Sequence, residues 1–451
     1  MLTATAPADT TARASWHARP VHAASTAVFR IAFGLVVAVS MVRFVAKGWV
    51  ESLYLAPTHH LTYARFEWVR PLPGPVMYAV MVVLAATGIG IAVGWRTRAC
   101  ALVFTAGFAY TELIEASLYL NHYWFVTLAG LLVVLLPTDR YWSVDAWRGR
   151  VARSGVVPAG VVWALRAQIA VVYVFAGVAK INVDWMHGLP MRMWFADRAD
   201  VAVIGPLLGT PGAALAASWF GLLFDTTIVG WLLWQRSRPI AYVVVIAFHA
   251  VTGVLFRIGM FPWVMVVATL VFFDPSWPHQ LWRRITGRLA SEPVEAVLGS
   301  APRLQPIVRC ALVALAAVEL VLPLRHLVEP GDVRVTEEGY YLSWRVMLTE
   351  KSALLDFVVS DPTTGEQWIA EPTLVLTDWQ AAQAAIRPDL LLATAHLVDG
   401  YYRDRLGHDV EVRARSFVSI NGRAPQPLAD PTIDLSAVSR TTPLHRIVVD
   451  P

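Results

Sequence analysis

Long apolar runs constrain the fold of this chain more than any other feature. Because a bilayer core about 30 Å thick requires about 20 apolar residues per helix, each run is a candidate transmembrane helix. The composition agrees, since 56% of the 451 residues are hydrophobic and only 16% are charged. Some runs are short, so eight and nine spans both fit the pattern. The runs lie at about 24–46, 75–95, 99–119, 122–137, 161–181, 213–235, 239–256, 258–273 and 306–324.

The arginines of the connecting segments predict how the helices are oriented. Arginine pairs or clusters follow the second, fourth and sixth runs, whereas the connections after the first, third and fifth runs carry fewer basic residues or none. By the positive-inside rule the N-terminus is cytoplasmic and the odd-numbered connections face outward. The first 25 residues lack the pattern of a signal peptide, so we expect the first run to direct insertion. With nine spans, the chain after Leu324 is extracytoplasmic.

The character of the sequence changes at Val328. Polar residues become frequent, and alternating stretches at 339–347 and 410–419 predict strands. Residues 378–404 predict one or two helices, interrupted at Pro388. We therefore expect a multi-pass protein of the cell membrane, with an all-α bundle of eight or nine transmembrane helices followed by a small α+β extracytoplasmic domain. The predicted parts are a cytoplasmic N-terminal segment over 1–23, a transmembrane domain over 24–327 and the extracytoplasmic domain over 328–451.

Several classes of function lack support in the sequence. The two cysteines, Cys100 and Cys310, both lie in apolar runs and exclude a zinc cluster and a disulfide framework. The pair His59–His60 has no third ligand nearby, so we expect no metal site. The net charge of +4 lies mostly in arginines on short connections, which does not predict a nucleic-acid partner. The sequence contains no P-loop, dinucleotide fingerprint or nucleophile elbow, and no internal repeat that would support an inverted-repeat transporter.

The fifth apolar run ends in a lysine. Lys180 closes the apolar stretch that begins at Tyr173, and Asp184 and Trp185 follow it. A charged amine at the edge of hydrocarbon loses hydration, and desolvation favours the neutral amine, which is a base. The alternative is a lysine that snorkels to the lipid headgroups, and this segment alone leaves both interpretations open.

Other ionisable groups in or beside the runs are candidates of the same kind. His122 begins the fourth run and Arg257 joins the seventh and eighth runs, so both belong on the outer side together with Lys180. We expect these three groups, from three pairs of helices, to converge on one site. Asp225 is better explained as the counter-charge of a neighbouring cation, and His249 as a hydrogen-bonded core residue.

A series of short motifs runs along nearly the whole chain. They are Arg70–Pro73, Asn121–Tyr123, Asp139–Asp145, Ala176–Lys180 with Asp184–Trp185, Leu255–Phe261, Pro275–Pro278, Tyr340–Trp344 and Val418–Asn421. In this order they resemble the vitamin K-dependent γ-glutamyl carboxylase family, whose bacterial relatives are described as carrying the horizontally transferred transmembrane (HTTM) domain.

The resemblance implies an enzyme of the carboxy-lyase class with two coupled half-reactions. Reduced vitamin K, either phylloquinol or menaquinol, is deprotonated by a lysine and reacts with dioxygen to give an epoxide. A strongly basic oxyanion formed on the way removes a γ-proton from a peptide glutamate, and carbon dioxide captures the carbanion. The implied chemistry needs no metal and no biotin. Lys180 matches the lysine base, and His122 matches the histidine that steadies the oxyanion.

The same resemblance implies a water-poor pocket that a lipid-soluble quinol enters from the bilayer. Tyr340, Ser343 and Trp344 resemble the segment linked to the glutamate of a secreted or extracytoplasmic peptide. Aromatic residues near the site are also explained by a membrane-interface belt, which is the commoner case. The quinone pocket is expected to include Asn121, Tyr123, Trp124, Trp185, Phe256 and Met260, with Asp184, Asp225, His249 and Arg257 as supporting polar groups.

Departures from the family leave alternatives open. The chain is far shorter than the animal enzymes, Ala179 replaces the first of their adjacent lysines, and their lumenal disulfide has no counterpart here. Quinol oxygenation is therefore better supported than carboxylation. The alternatives are a quinol epoxidase or oxidoreductase that acts on a different peptide or without carboxylation, and a non-enzymatic membrane transporter or scaffold. A scaffold gains nothing from a desolvated lysine such as Lys180.

Overall fold

A computed structural model describes residues 15–200, 205–256, 258–286 and 303–449. Residues 1–14 of the predicted cytoplasmic segment and the predicted site residue Arg257 lie outside these ranges. Up to residue 327 the described chain is mostly helical. Its helices are α1 (Ala24–Ala46), α2 (Gly74–Val93), α3 (Thr97–Ile114), α4 (Asn121–Leu135), α5 (Val144–Trp147), α6 (Ala159–Ala179), α7 (Val183–Met186), α8 (Met191–Ala196), α9 (Gly205–Leu208), α10 (Pro211–Leu233), α11 (Arg238–Leu255), α12 (Phe261–Thr269), α13 (Trp277–Thr286) and α14 (Pro306–Val321).

Six helices in the described part of the chain are long and apolar enough to cross a membrane. They are α1, α2, α6, α10, α11 and the segment Pro306–Leu327, in which a 3-10 turn continues α14. Two further helices, α4 and the segment Phe261–Phe272 that contains α12, are apolar but shorter. Each predicted run contains a helix, so the membrane bundle is supported, while the count of eight or nine spans stays a prediction.

Two of the predicted runs are shorter as helices than expected, and both breaks have a local cause. The third run ends as a helix at Ile114, because Glu115 is extended and its carboxylate accepts the backbone N–H groups of Leu61 and Ser117. The eighth run becomes helical only after Gly259, whose left-handed backbone (φ +62°) suits a residue without a side chain.

The first two helices pack closely along much of their length. A Cβ atom at Gly34 of α1 would lie 2.4 Å from the backbone nitrogen of Ala92 in α2, so no larger residue fits there. Near this contact the side chain of Arg30 is fully buried and donates to carbonyl oxygens at the end of α2 and in the segment after α4. Arg30 thus donates hydrogen bonds to carbonyl groups at the end of a helix, where the regular helical hydrogen bonds stop.

A small antiparallel sheet forms the centre of the C-terminal domain, in the strand order β4 (Gln367–Ala370), β3 (Lys351–Ser360), β5 (Glu411–Ile420), β6 (Gln426–Pro427). The predicted strand at 410–419 is confirmed, and Pro388 separates two helices as predicted. The helices of this domain are α15 (Val333–Thr336), α16 (Asp378–Ile386) and α17 (Pro388–Leu406). A separate pair of short strands lies in the bundle, where β1 (Pro20–His22) precedes α1 and pairs with β2 (Val156–Pro158), which precedes α6.

The predicted strand at 339–347 is wrong, because this segment forms turns. The backbone is left-handed at Leu342 (φ +58°) and at Trp344 (φ +59°), which a strand does not allow. The N–H of Leu342 donates to the hydroxyl of Tyr119 at 2.6 Å, so the backbone of the segment bonds to the bundle and not to a neighbouring strand. The alternation of polar and apolar residues over 339–347 therefore does not indicate a strand.

The C-terminal domain is fixed to the bundle by loops that enter its core. Leu61, between α1 and α2, and Ala116, after α3, belong to the hydrophobic core of the domain. The amide of Gln380 on α16 donates to the buried carboxylate of Glu115 at 2.7 Å. The domain therefore sits over the end of the bundle at which α3 and α6 end and α4 begins.

Candidate active site between the bundle and the C-terminal domain

A cavity of about 250 Å³ lies between the bundle and the C-terminal domain. Parts of α4, α6, α10, α11 and α12 surround it, together with the turns that follow residue 339. Its walls are mostly apolar. We call it the Lys180 chamber; its polar lining residues are Asn121, His122, Tyr173, Lys180, Asp225, His249, Thr252 and Tyr340.

Lys180 directly follows Ala179, the last residue of α6, and its side chain is buried. The Nζ atom lies 2.8 Å from Oδ2 of Asp225 on α10 and 3.2 Å from the carbonyl oxygen of Ala176. The same nitrogen lies 5.2 Å from the ring centroid of Trp185. The expectation of a neutral amine considered only the desolvation of Lys180. It is incomplete, because the carboxylate of Asp225 can hold or share the proton of the Lys180 amine.

A close contact between α6 and α10 brings these two groups together. A Cβ atom at Gly177 would lie 2.8 Å from the backbone nitrogen of Thr226, so the two helices can approach this closely only at a glycine. Thr226 follows Asp225, and Lys180 lies one helical turn after Gly177. The contact therefore sets the lysine beside the aspartate, which agrees with the predicted role of Asp225 as a counter-charge.

His122, the second residue of α4, faces the chamber. Its ring packs against Phe261 at a centroid distance of 5.5 Å and against Tyr123 at 4.6 Å. Among the described residues, neither ring nitrogen has a hydrogen-bond partner. The preceding Asn121 also lines the chamber, but its amide donates to the carbonyl oxygen of Arg345 at 3.2 Å.

A second histidine lines the chamber in a hydrogen bond, as predicted for a core residue. Nε2 of His249 on α11 lies 3.0 Å from the hydroxyl of Tyr173 on α6. The two side chains form a polar strip in an otherwise aromatic wall, beside Phe224 and Phe248. Within the described ranges, no three side chains of His, Cys, Asp or Glu are placed to hold a metal ion.

The remaining predicted pocket residues divide between the chamber and its surroundings. Trp185 and Phe256 line the chamber, and the indole N–H of Trp185 donates to the carbonyl oxygen of Ser218 at 2.7 Å. Tyr123 and Met260 line a neighbouring cavity instead. Successive residues of a helix point about 100° apart, and on α4 Asn121 and His122 line the chamber whereas Tyr123 lines the neighbouring cavity.

Asp184, predicted as a supporting polar group of the pocket, binds the C-terminal domain instead. Its carboxylate accepts hydrogen bonds from Arg423 (2.8 Å for the Nη1 contact), from Asn421 (2.7 Å) and from Arg334 (3.0 Å). The hydrogen bonds from Arg423 are the main cause that lowers the pKa of Asp184 to about 2. Asp184 therefore anchors the segment that follows Lys180 to the C-terminal domain.

Trp124 and Trp344 share one acceptor, the buried carboxylate of Glu319 on α14. The indole N–H of Trp124 donates to Oε1 at 3.0 Å, that of Trp344 donates to Oε2 at 3.2 Å, and the amide of Gln168 donates to Oε2 at 3.1 Å. Trp124, expected in a quinone pocket, thus packs in the bundle and does not line the Lys180 chamber. The sequence shows Glu319 only as a carboxylate in an apolar run, and its three partners could not be inferred from that.

The three residues expected to bind a peptide have different positions. Tyr340 lines the chamber, and Ser343 donates its hydroxyl to the carbonyl oxygen of Tyr340 within the same turn. Trp344 is fully buried and its ring lines the chamber. A peptide contact with Trp344 would therefore have to be made inside the chamber, and the peptide-binding roles stay predictions.

Comparison with known families assigns both parts of the chain. A family model described as "HTTM domain" matches residues 18–277, which include α1 to α12 and the helices around the Lys180 chamber. A model described as "Vitamin K-dependent gamma-carboxylase, lumenal domain" matches residues 304–445. No solved structure matches the chain. Because the two models follow one another over almost the whole length, the chain belongs to the vitamin K-dependent γ-carboxylase family.

Proposed function

We propose that this family member is an integral-membrane enzyme that oxygenates reduced vitamin K to its epoxide and couples this reaction to γ-carboxylation of peptide glutamate. The observation that carries the proposal is the placement of Lys180, Asp225 and His122 in one apolar chamber. Such a chamber suits a quinol, because flat aromatic rings gain from apolar and aromatic walls, and a few polar groups fix the orientation of the ligand.

The first chemical step is removal of a proton from a quinol hydroxyl. Lys180 accepts this proton only as a neutral amine, which forms when the proton of the pair moves across the 2.8 Å contact to Asp225. In a medium of low dielectric constant, a neutral amine beside a neutral carboxylic acid competes with the ion pair, because two buried charges are costly. After deprotonation of the quinol, the new ammonium group of Lys180 is the counter-charge of the quinolate anion, and the protonated Asp225 stays within hydrogen-bond distance of it.

The second step develops negative charge on oxygen, and His122 stabilises it. A neutral imidazole donates through one ring N–H, and His122 lines the chamber in which this charge appears. Dioxygen then supplies one oxygen atom to the epoxide and one to water. The basic oxyanion takes the γ-proton of a glutamyl side chain, and the resulting carbanion adds to carbon dioxide. Water must be excluded, since it would protonate the oxyanion first.

The proposed orientation places the N-terminus in the cytoplasm and the C-terminal domain outside, where it meets a secreted peptide. The positive-inside pattern of the connections supports this orientation. Thr363 lies in the exposed turn between β3 and β4, so Thr363→Cys introduces an accessible thiol. Labelling of this variant by a membrane-impermeant thiol reagent in intact cells supports the orientation. Labelling only after lysis overturns it.

The reaction is tested with purified full-length protein, reduced vitamin K, labelled bicarbonate and a glutamyl peptide. The expected result is vitamin K epoxide together with labelled peptide. Epoxide without labelled peptide would reject carboxylation and favour the second candidate, a quinol epoxidase without carboxylation. That candidate is supported by the same chamber, because the quinol half-reaction needs Lys180 and His122 but no peptide. The absence of both epoxide and labelled peptide would favour a transporter or scaffold.

A further inference from the structure

A second cavity, of about 650 Å³, lies beside the Lys180 chamber. Towards the bundle its walls are apolar, with Met41, Phe44 and Phe108 among them. Towards the C-terminal domain it is lined by Glu337, Lys351 and Arg387. The cavity therefore offers a charged end formed by the C-terminal domain and an apolar end formed by α1 and α3.

The charged end is built around one carboxylate. Oε1 of Glu337 lies 2.5 Å from Nζ of Lys351, and Oε2 lies 3.9 Å from Nε of Arg387. The side chains of Lys351 and Arg387 are only 4% and 7% exposed. Two buried cations thus converge on a single glutamate that belongs to the chain itself.

Arg387 retains a hydrogen-bond donor that the described residues do not satisfy. One terminal nitrogen donates to the carbonyl oxygen of Ala116 at 3.0 Å, and the other donates to Asp389 at 3.2 Å. Within the part of the chain that the structure describes, the buried Nε–H group has no acceptor, since 3.9 Å to Glu337 exceeds hydrogen-bond distance. A buried donor without an acceptor is destabilising, so an oxygen acceptor that enters the cavity is stabilised at this point.

Other charges on the cavity wall do not change this chemistry. Glu350 is engaged outside the cluster, because its carboxylate accepts the indole N–H of Trp194 at 2.6 Å. Arg43 and Glu112 line the wall formed by the bundle and carry opposite charges. Asp389 pairs with Arg387 at 3.2 Å, so Lys351 and Arg387 face two carboxylates of the chain, and an entering carboxylate fits here by taking the place of Glu337.

The two cavities share part of their walls. Tyr340 and Leu120 line both the Lys180 chamber and the second cavity. Among the described residues, no hydrogen bond engages the hydroxyl of Tyr340, and this side chain is the polar part of the shared wall. A side chain held by Lys351 and Arg387 would therefore lie next to the chamber in which quinol chemistry takes place.

We propose that the second cavity binds the acidic side chain of a glutamyl peptide, whose carboxylate replaces that of Glu337 between Lys351 and Arg387. This inference rests on the proposed function, which requires a peptide glutamate beside the quinol. Glu337 acts as the resident occupant of the site and competes with the peptide. Its position favours exchange, because it follows the last residue of the short helix α15 and its backbone is left-handed (φ +54°).

The test measures equilibrium binding of a fluorescent glutamyl peptide to the full-length protein in nanodiscs, without turnover. Glu337→Gln removes the charge of the competitor at nearly constant size, so the peptide should bind several-fold more tightly. Lys351→Gln should weaken binding at least tenfold, whereas Lys351→Arg, which keeps the charge, should retain it. Arg415→Gln is the matched control, because Arg415 pairs with Asp356 on the exposed side of the sheet.

Two results would overturn the proposal. One is equal affinity of the wild-type protein for the glutamyl peptide and its glutaminyl analogue, and the other is weaker peptide binding in Glu337→Gln. Failure of the proposed function is distinguished by the absence of epoxide from wild-type protein given quinol alone. That assay uses no peptide, so the two proposals can fail separately.

Discussion

Nζ of Lys180 and Oδ2 of Asp225 lie 2.8 Å apart, and both side chains are less than a tenth exposed. Removing one member of a buried ion pair leaves an uncompensated charge, which costs about 3–5 kcal/mol in soluble proteins. Replacing both members by apolar residues is often nearly neutral. The stability of single and double variants therefore reports whether the two groups act as a pair.

We expect Lys180→Met and Asp225→Leu each to lower the thermal stability of the purified protein, and the double variant to be more stable than either single variant. The cause is the stranded charge in each single variant, which the double variant removes. Thermal unfolding in one detergent compares all four proteins. Effects that simply add in the double variant would contradict a coupled pair.

Lys180→Ala should abolish epoxide formation while the protein remains in the membrane. The variant removes the base but leaves the chamber open, so small added amines should restore part of the activity. The rate of epoxide formation with and without added amines is the measurement. Unchanged turnover in this variant would remove Lys180 from the mechanism.

His122→Ala should lower the rate of epoxide formation much more than it weakens quinol binding. The imidazole faces the chamber, and its proposed role is to stabilise charge that appears only during the reaction. Single-turnover rates and quinol titration separate the two effects. His408→Ala provides the control, because His408 pairs with Asp361 in the C-terminal domain. A loss of binding equal to the loss of rate would assign His122 a packing role.

The ends of the apolar runs were the informative part of the sequence for this site. Lys180 closes one run and His122 begins another, and connections on the same predicted side bring such ends to one leaflet. Asp225 could be named as a counter-charge, because a lone carboxylate inside an apolar run needs a partner. The helix positions and these three residues therefore follow from local pattern and topology.

Contacts between distant segments could not be predicted in this way. Asp184 lies four residues after Lys180, yet it binds Arg423, which is 239 positions further along the chain. The segment at 339–347 alternates like a strand, but its N–H groups find acceptors such as Tyr119 on the bundle. Local periodicity carries no information about such distant partners. Neither the contact of Asp184 nor the turns at 339–347 could therefore be predicted from the sequence.

Asp184→Asn should destabilise the contact between the bundle and the C-terminal domain by about 1–2 kcal/mol at neutral pH. Hydrogen bonds from Arg423 lower the pKa of Asp184 to about 2, so folding favours its ionised form. Solvent screening limits the effect, because Arg423 and Arg334 are 47% and 37% exposed.

The sign of the pH dependence follows from the lowered pKa. The stabilisation is fully present above the usual pKa of an aspartate, near pH 4, and is lost as the pH falls through about 2. The difference in unfolding free energy between wild type and Asp184→Asn should therefore be constant from pH 5 to 7 and shrink towards pH 2. A difference that does not change with pH would contradict an ionised carboxylate at this position.

Glu319→Gln tests whether one carboxylate fixes the wall of the Lys180 chamber. Three donors, from Trp124, Gln168 and Trp344, meet the two oxygens of Glu319, whereas an amide offers one oxygen and turns an NH2 group towards the rest. At least one buried donor then loses its acceptor, at a cost of about 1–3 kcal/mol. Because Trp344 lines the chamber, we also expect the KM for quinol to rise several-fold with a smaller change in kcat.

Glu366→Gln, in an exposed turn of the C-terminal domain, is the matched control for this change and should alter neither stability nor the KM for quinol. Thermal unfolding and steady-state epoxide formation are measured on both variants under the same conditions. Lower stability with an unchanged KM would mean that Glu319 supports the bundle but does not position Trp344. Unchanged stability would show that the carboxylate is not the acceptor that organises the two indoles.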